Sequence, residues 1–189
     1  MSTTVKCIAE EALKKLKEGN ARYLDATVNT GDISTALRQK SVAGQSPYAV
    51  VITCSDSRVI PESIFSAGIG ELFVIRVAGN VIDDHQLGSI EYATEHLGSR
   101  LILVMGHNHC GAVDAAIHHA PAGFVKSITD EIKKAIGDET DPYAASCLNV
   151  RHSMKKIEES LKIRYEDETH GLRVCGAVYH LEDGKVEFL

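Results

Sequence analysis

Tyr48-Ala-Val-Val-Ile-Thr-Cys54 is a nearly unbroken apolar run that ends in a cysteine. Runs of this kind are typical of strands that are buried on both faces, as in parallel sheets. Two more follow, at residues 71–78 and 100–106. Helix-length segments, residues 61–67 and 85–97, separate the three runs. Because strands that alternate with helices form parallel sheets, the sequence predicts an α/β fold.

The rest of the chain surrounds this core with helices and a final strand pair. Apolar residues recur at helical spacing in the N-terminal segment and again in the second half of the chain. The predicted helices are 5–24, 35–42, 111–119, 124–136 and 142–161. At the end, an Asp-Gly turn joins two apolar segments, which predicts an antiparallel C-terminal strand. No repeat or linker interrupts the pattern. We therefore expect one domain over 1–189, with a helical arm over 1–43 and a mostly parallel α/β core over 44–189.

Composition limits the possible partners. The net charge of -6 argues against nucleic acid, because binding to phosphates needs a surplus of Lys and Arg. The apolar runs are too short to span a bilayer, and the N-terminus lacks the apolar core of a signal peptide. We expect a soluble, cytoplasmic protein without nucleic-acid or membrane partners that acts on a small molecule.

The five cysteines are an odd number in a chain large enough to fold without disulfides, so metal binding or catalysis explains some of them better than a disulfide framework. Cys7, Cys147 and Cys175 have no ligand-type residue beside them. These three are expected to be small buried hydrophobic residues.

The remaining two cysteines lie where chemistry is expected. Ligands of a parallel sheet gather beyond the carboxyl ends of its strands, and Cys54 ends one run while His107 and Cys110 end another. If these strands are neighbours, two thiolates and one imidazole meet. This set suits zinc, and three protein ligands leave a fourth position for water, as in catalytic sites. His109 is an alternative ligand, but adjacent residues seldom converge on one metal, which favours His107.

Asp56 and Arg58 flank the same turn as Cys54. They form either an ordinary loop ion pair or a catalytic dyad, in which Arg58 fixes the carboxylate and Asp56 accepts a hydrogen bond from water on the metal. A third possibility is a switch, in which Asp56 leaves Arg58, occupies the fourth zinc position and closes the site.

At these residues the sequence resembles the beta-class carbonic anhydrases. Their signature is a CxDxR strand end followed by an HxxC element, and the likeness extends over most of residues 44–115, including 54–59, 70–80, 88–92 and 106–112. The resemblance implies that Cys54, His107 and Cys110 bind Zn²⁺. It also implies that Asp56 and Arg58 form the catalytic dyad and that hydroxide generated on the zinc hydrates carbon dioxide to bicarbonate.

The resemblance further implies a plant-like substrate pocket. Gln45, Phe73, Tyr92 and Gly111 fall at its positions, although plain core packing is an alternative for Phe73 and Tyr92. In the family this pocket lies where two subunits meet. A homodimer or homotetramer with the active site at the dimer interface is therefore implied, with the N-terminal helix embracing the partner.

Two other functions fit the same residues. The site could hydrolyse carbon disulfide or carbonyl sulfide by the same attack, or the protein could be a non-catalytic zinc-binding module. Asp56 and Arg58 weigh against the second, since a structural metal needs no orienting dyad. For a site with two thiolates, which donate more charge than imidazoles, we expect activity to rise above neutral pH.

Overall fold

The computed structural model describes residues 9–26, 28, 31–162 and 171–189. Its centre is a five-stranded sheet of order β2-β1-β3-β4-β5. The strands are β1 Ala49–Thr53, β2 Leu72–Arg76, β3 Leu101–His107, β4 Arg173–Tyr179 and β5 Val186–Phe188. The first four run parallel, and β5 is antiparallel to β4. The predicted α/β fold with an antiparallel C-terminal strand is confirmed.

Seven helices flank the sheet in the described part of the chain. They are α1 Ala9–Asp25, α2 Thr35–Lys40, α3 Pro61–Ile64, α4 Asp84–Glu95, α5 Gly111–His118, α6 Val125–Ile136 and α7 Pro142–Lys162, with 3₁₀ turns at Ser41–Ala43 and Ala78–Asn80. Helix α3 is shorter than predicted, because Ser66 turns to a left-handed φ of 46° and stops it. Residues 5–8 of the predicted N-terminal helix lie outside the described residues.

The sheet is buried on both faces along β1, β3 and the second half of β4. Every residue of β1 and β3 is buried, and their side chains alternate between two apolar clusters. One cluster contains Val51 and Leu103 with α1 and α3, and the other contains Val50 and Ile102 with α4 and α7. Strand β2 forms one edge, and four of its five side chains are only half-buried. The prediction that all three apolar runs are buried on both faces is therefore wrong for β2.

Helix α1 packs closely against the rest of its own chain. Ala12 and Leu16 are fully buried in the first cluster, and Gly19 lies so close to α3 that a Cβ there would approach the Phe65 carbonyl oxygen to 2.0 Å. The buried Asn20 side chain donates to the carbonyl oxygens of Ile64 and Gly184. Only the opposite face of α1 is therefore available to contact a partner subunit, and that contact stays a prediction.

The four cysteines of the described residues are all free. Cys147 and Cys175 are half-buried and pack against the two clusters, so the expectation that they are small buried hydrophobic residues is only partly met. Cys7 lies outside the described residues. Within the described ranges, no helix combines the length and apolar character needed to cross a membrane.

Candidate metal centre

The centre forms where β1 and β3 end side by side. The two strands are parallel neighbours, with Thr53 opposite Met105, and the Thr53 hydroxyl donates to the Met105 carbonyl oxygen at 2.8 Å. Cys54 follows β1, His107 is the last residue of β3, and Cys110 is the N-cap of α5. One ligand atom from each of these three buried residues lies within 4.8 Å of the other two. The structure therefore brings together the three residues predicted to bind zinc.

The His107 ring is oriented as a metal ligand. Its Nδ1 lies 2.7 Å from the carbonyl oxygen of Asn108, and because a carbonyl only accepts, Nδ1 carries the proton. Nε2 then bears a lone pair. This atom is buried, and none of the described residues hydrogen-bonds to it. A buried imidazole nitrogen that faces two sulfurs and has its other nitrogen tied to a carbonyl is the arrangement that zinc sites use.

The two thiols favour a cation between them. The hydrogen bond that joins Cys54 and Cys110, whose sulfurs are 4.0 Å apart, lowers the pKa of Cys54 to about 4 against the opposing effect of burial. The same hydrogen bond, and then burial, raise the pKa of the Cys110 thiol. One thiolate forms readily, but a second would place two negative charges side by side. A divalent cation offsets that repulsion, so the residues fit zinc.

Asp56 is held by Arg58 through both carboxylate oxygens. The Arg58 Nε donates to Oδ1 at 2.9 Å and Nη2 donates to Oδ2 at 2.8 Å. These hydrogen bonds hold the pKa of Asp56 well below its usual range. Oδ2 also lies 3.8 Å from His107 Nε2. An ionised carboxylate, fixed in a bidentate pair, thus reaches the point where the ligand atoms converge.

Arg76 supports the same turn and has no role in the sequence prediction. It is the last residue of β2, opposite Thr53. Its Nη2 donates to the Asp56 carbonyl oxygen at 2.7 Å and its Nε donates to the Cys54 carbonyl oxygen at 3.2 Å. A charged residue at the end of an apolar strand was the available signal, but only the strand order reveals which backbone it contacts.

His109 points away from the centre. Its Nε2 lies 2.5 Å from Glu182 Oε1, and its backbone has a left-handed φ of 52°. The other oxygen of Glu182 accepts from the Asn108 amide at 2.6 Å. Glu182 therefore ties the loop between His107 and Cys110 to the turn after β4, and the His109 ring is engaged there.

The predicted pocket residues lie at the surface of the single chain. Phe73 on β2 and Tyr92 on α4 pack together with ring centroids 6.2 Å apart, and Tyr92 is 47% exposed. Gly111 begins α5 beside Cys110, and a Cβ there would meet nothing within 4 Å. Gln45 is exposed and forms no hydrogen bond with any described residue. The chain thus brings the two aromatic residues together, and the pocket that would join them to Gln45 and Gly111 stays a prediction.

Comparison with known proteins identifies relatives over nearly the whole chain. The family model described as carbonic anhydrase matches residues 49–186. A carbonic anhydrase of Mycolicibacterium smegmatis is 37% identical over 188 residues, which cover 93% of this chain and 91% of the relative. Carbonic anhydrase 2 of Mycobacterium tuberculosis is 35% identical over 196 residues, covering 92% of this chain and 89% of the relative.

Solved structures agree in fold. One of two tetrameric beta-carbonic anhydrases from Sordaria macrospora matches with a TM-score of 0.74 and 27% identity, covering 80% of this chain and 85% of that chain. A beta-carbonic anhydrase of Aspergillus fumigatus matches with a TM-score of 0.71 and 25% identity, covering 95% of this chain and 89% of that chain.

Proposed function

The chain belongs to the carbonic anhydrase family and to its beta class, and we propose that Cys54, His107 and Cys110 hold the zinc ion with which it hydrates carbon dioxide to bicarbonate. One observation carries the assignment: a ligand atom from each of these three buried residues lies within 4.8 Å of the other two. Three ligands leave a position open, as a catalytic site requires.

The geometry of Asp56 supports a catalytic role. Zinc, when bound, supplies a Lewis acid that lowers the pKa of water enough to provide hydroxide near neutral pH. Asp56 lies 3.8 Å from His107 Nε2, and its low pKa keeps it a hydrogen-bond acceptor throughout the working pH range. It accepts a hydrogen bond from the attacking water and so turns the lone pair of the water oxygen toward the carbon of the substrate.

Arg58 fixes that acceptor. Its two hydrogen bonds set the plane of the Asp56 carboxylate, and the positive charge keeps the carboxylate ionised. Arg76 holds the backbone of the same turn by donating to the carbonyl oxygens of Cys54 and Asp56. We assign Asp56 and Arg58 as the catalytic dyad and Arg76 as a residue that positions them.

The substrate pocket is proposed to form from Gln45, Phe73, Tyr92 and Gly111 where two copies of the chain meet. Two observations support this proposal: Tyr92 is half exposed beside Phe73, and β2 is an edge strand whose apolar side chains are only half-buried. Apolar surface of this kind typically marks an interface. A homodimer, alone or within a tetramer, is therefore the proposed active unit.

We propose that residues 1–189 form one domain, supported by the packing of α1 into the core of the sheet. We also propose that the enzyme works in the cytoplasm. The four described cysteines are free, which suits a reducing compartment.

The decisive experiment is stopped-flow hydration of carbon dioxide combined with metal analysis. Wild-type protein is expected to carry zinc and to be active. Cys54→Ser is expected to lose most of its zinc and activity, because a hydroxyl is a much poorer zinc ligand than a thiolate. Cys147→Ser, at a free half-buried cysteine outside the centre, is the matched control and should retain both. Zinc bound by the wild type without hydration at alkaline pH would contradict the proposal.

The two alternatives are not favoured. The relatives compared above are all carbonic anhydrases by name, which favours carbon dioxide over carbon disulfide or carbonyl sulfide. The bidentate contact of Arg58 with Asp56 beside the ligand atoms weighs against a non-catalytic zinc module. Assaying the three substrates side by side with the same preparation tests this preference directly.

A further inference from the structure

Asn149 is a buried polar residue on α7, away from the residues of the zinc motif. Its side chain is 1% exposed, and its Nδ2 donates to the carbonyl oxygen of Gly79 at 2.7 Å. The orientation of the amide is determined by this partner, because only the NH₂ end of an asparagine can hydrogen-bond to a carbonyl. The helix thereby holds one backbone oxygen of the turn that follows β2.

Gly79 in turn contacts a zinc ligand. Its backbone N–H donates to Cys54 Sγ at 3.3 Å. Gly79 has a left-handed φ of 66°, and a Cβ at this position would lie 2.7 Å from Ile132 Cδ1. Asn80 is also left-handed, with a φ of 45°. Glycine adopts this conformation readily, but Asn80 does so at a cost, so the turn that presents the N–H to the sulfur needs support from outside.

We propose that Asn149 is a positioning residue for Cys54, acting through Gly79. This inference rests on the proposed zinc centre. The carbonyl and the N–H of Gly79 flank one Cα, so anchoring the carbonyl to α7 restrains the direction of the N–H. The N–H then limits the directions in which the Cys54 sulfur presents a lone pair to a metal.

The same helix offers a matched control. Ser153 lies one turn after Asn149 on α7 and is equally buried, at 1% exposed. Its hydroxyl donates at 3.1 Å to the carbonyl oxygen of Asn80, the neighbour of Gly79 in the same turn. A general loosening of the turn would follow from the loss of either side chain. A specific effect on Cys54 is expected only from the loss of Asn149.

The test compares zinc affinity in Asn149→Leu and Ser153→Ala, measured by competition with a chromophoric chelator. Leucine has a shape close to that of asparagine but cannot donate. Groups that hydrogen-bond directly to metal ligands typically contribute about 10–100-fold to metal affinity. Because Asn149 acts one residue further back, through Gly79, we expect Asn149→Leu to weaken zinc binding by about tenfold and Ser153→Ala by less than about threefold. Thermal unfolding of both metal-free variants measures the purely structural loss.

A spectroscopic measurement separates ligand geometry from stability. With cobalt(II) in place of zinc, Asn149→Leu should shift the thiolate-to-cobalt charge-transfer band, while Ser153→Ala should leave it as in the wild type. If both variants weaken zinc binding equally and leave the band unmoved, Asn149 is only a structural residue and the proposal is overturned. If the wild type binds no zinc at all, the proposed function itself has failed.

A measurement on the unmodified protein covers the case in which Asn149→Leu does not fold. In the wild type loaded with cadmium-113, the Gly79 amide proton should show scalar coupling to the metal through Cys54 Sγ. Absence of that coupling, in a protein whose other cadmium couplings are visible, overturns the proposal. Asn149→Ala, which is smaller and avoids steric conflict, should then reduce the coupling, whereas an unchanged coupling would also overturn it.

Discussion

Among single residues, the metal centre brings together two thiols and a carboxylate, whose negative charges repel one another when no metal is bound. The Cys54 and Cys110 sulfurs are 4.0 Å apart, and the Asp56 carboxylate approaches the same point. Hydrogen bonding to Cys110 lowers the pKa of Cys54 to about 4, while the pKa of Cys110 is raised. A cation therefore stabilises this cluster as well as serving the reaction, because it allows the second thiol to ionise.

The negative charge of Asp56 is expected to be essential for activity. Asp56→Asn keeps the shape of the side chain but replaces an ionised acceptor by a neutral amide, so the attacking water loses its orienting partner. We expect kcat/KM for carbon dioxide hydration to fall by about 10²–10³-fold, the usual effect of removing one preorganised hydrogen-bonding group, with zinc content unchanged. Stopped-flow kinetics and metal analysis measure the two quantities.

The control for this prediction is Asp114→Asn. Asp114 is an exposed aspartate on α5 whose carboxylate lies near His118 and His119, and its change should leave kcat/KM within about twofold of wild type, as is usual for surface substitutions. Full activity of Asp56→Asn would show that Asp56 and Arg58 are an ordinary loop ion pair.

At the scale of elements, glycines allow α1 to approach the core. Gly19 lies where a Cβ would be 2.0 Å from the Phe65 carbonyl oxygen. This contact is with backbone, so no side-chain rotation can relieve it. The approach also lets the Asn20 amide reach two carbonyl oxygens. The position of α1 on the sheet therefore depends on the absence of one methyl group.

Gly19→Ala is predicted to destabilise the protein despite the higher helix propensity of alanine. We expect the free energy of unfolding to fall by about 1–3 kcal/mol, the usual cost of overpacking. Gly88, within α4, is the matched control, because a Cβ there meets nothing within 4 Å. Gly88→Ala should raise stability by up to about 1 kcal/mol. Urea unfolding measures both, and a Gly19→Ala protein as stable as Gly88→Ala would disprove this account of the helix contact.

Glu131 joins α6 to α7 and gives a prediction about pH. Its Oε1 accepts from Lys156 at 2.9 Å and lies 3.1 Å from His152 Nε2. Burial opposes ionisation of this carboxyl, but hydrogen bonds from Lys156, Lys134 and His152 outweigh it and lower the pKa from 4.5 to about 2. A carboxyl whose pKa is lowered by folding stabilises the protein above its unfolded-state pKa.

Glu131→Gln is therefore expected to lower the free energy of unfolding at neutral pH by about 2 kcal/mol, allowing for the exposure of the lysines. The contribution is complete above about pH 4.5 and is lost as the pH falls toward 2, so the difference from wild type should shrink over that window. Urea unfolding at a series of pH values measures it. Glu11→Gln, at an exposed position of α1, should show no such convergence, and a pH-independent difference for Glu131→Gln would contradict the ion-pair explanation.

At the scale of the whole molecule, the sequence predicts the parallel sheet and the Cys54, His107 and Cys110 group, because strand ends are visible as apolar runs followed by reactive residues. It does not predict which strand lies at the edge, since β2 has the same apolar pattern as the central strands. Nor does it predict that Arg76 and Asn149 act on the centre. The partner of Asn149 lies 70 residues away in the chain, and only the fold brings the two together.

The exposed apolar surface on β2 and α4 favours assembly of two or more chains. The half-buried apolar residues of β2 and the exposed ring of Tyr92 form a surface that water solvates poorly, so we expect sedimentation to give a mass at least twice that of the 20.5 kDa chain. Tyr92→Asp should shift the mass toward the monomer and lower kcat/KM, because a buried unpaired charge opposes association. Lys133→Glu, at an exposed position of α6, serves as the control and should change neither quantity. A Tyr92→Asp protein that is fully active as a monomer would show that the pocket is complete within one chain.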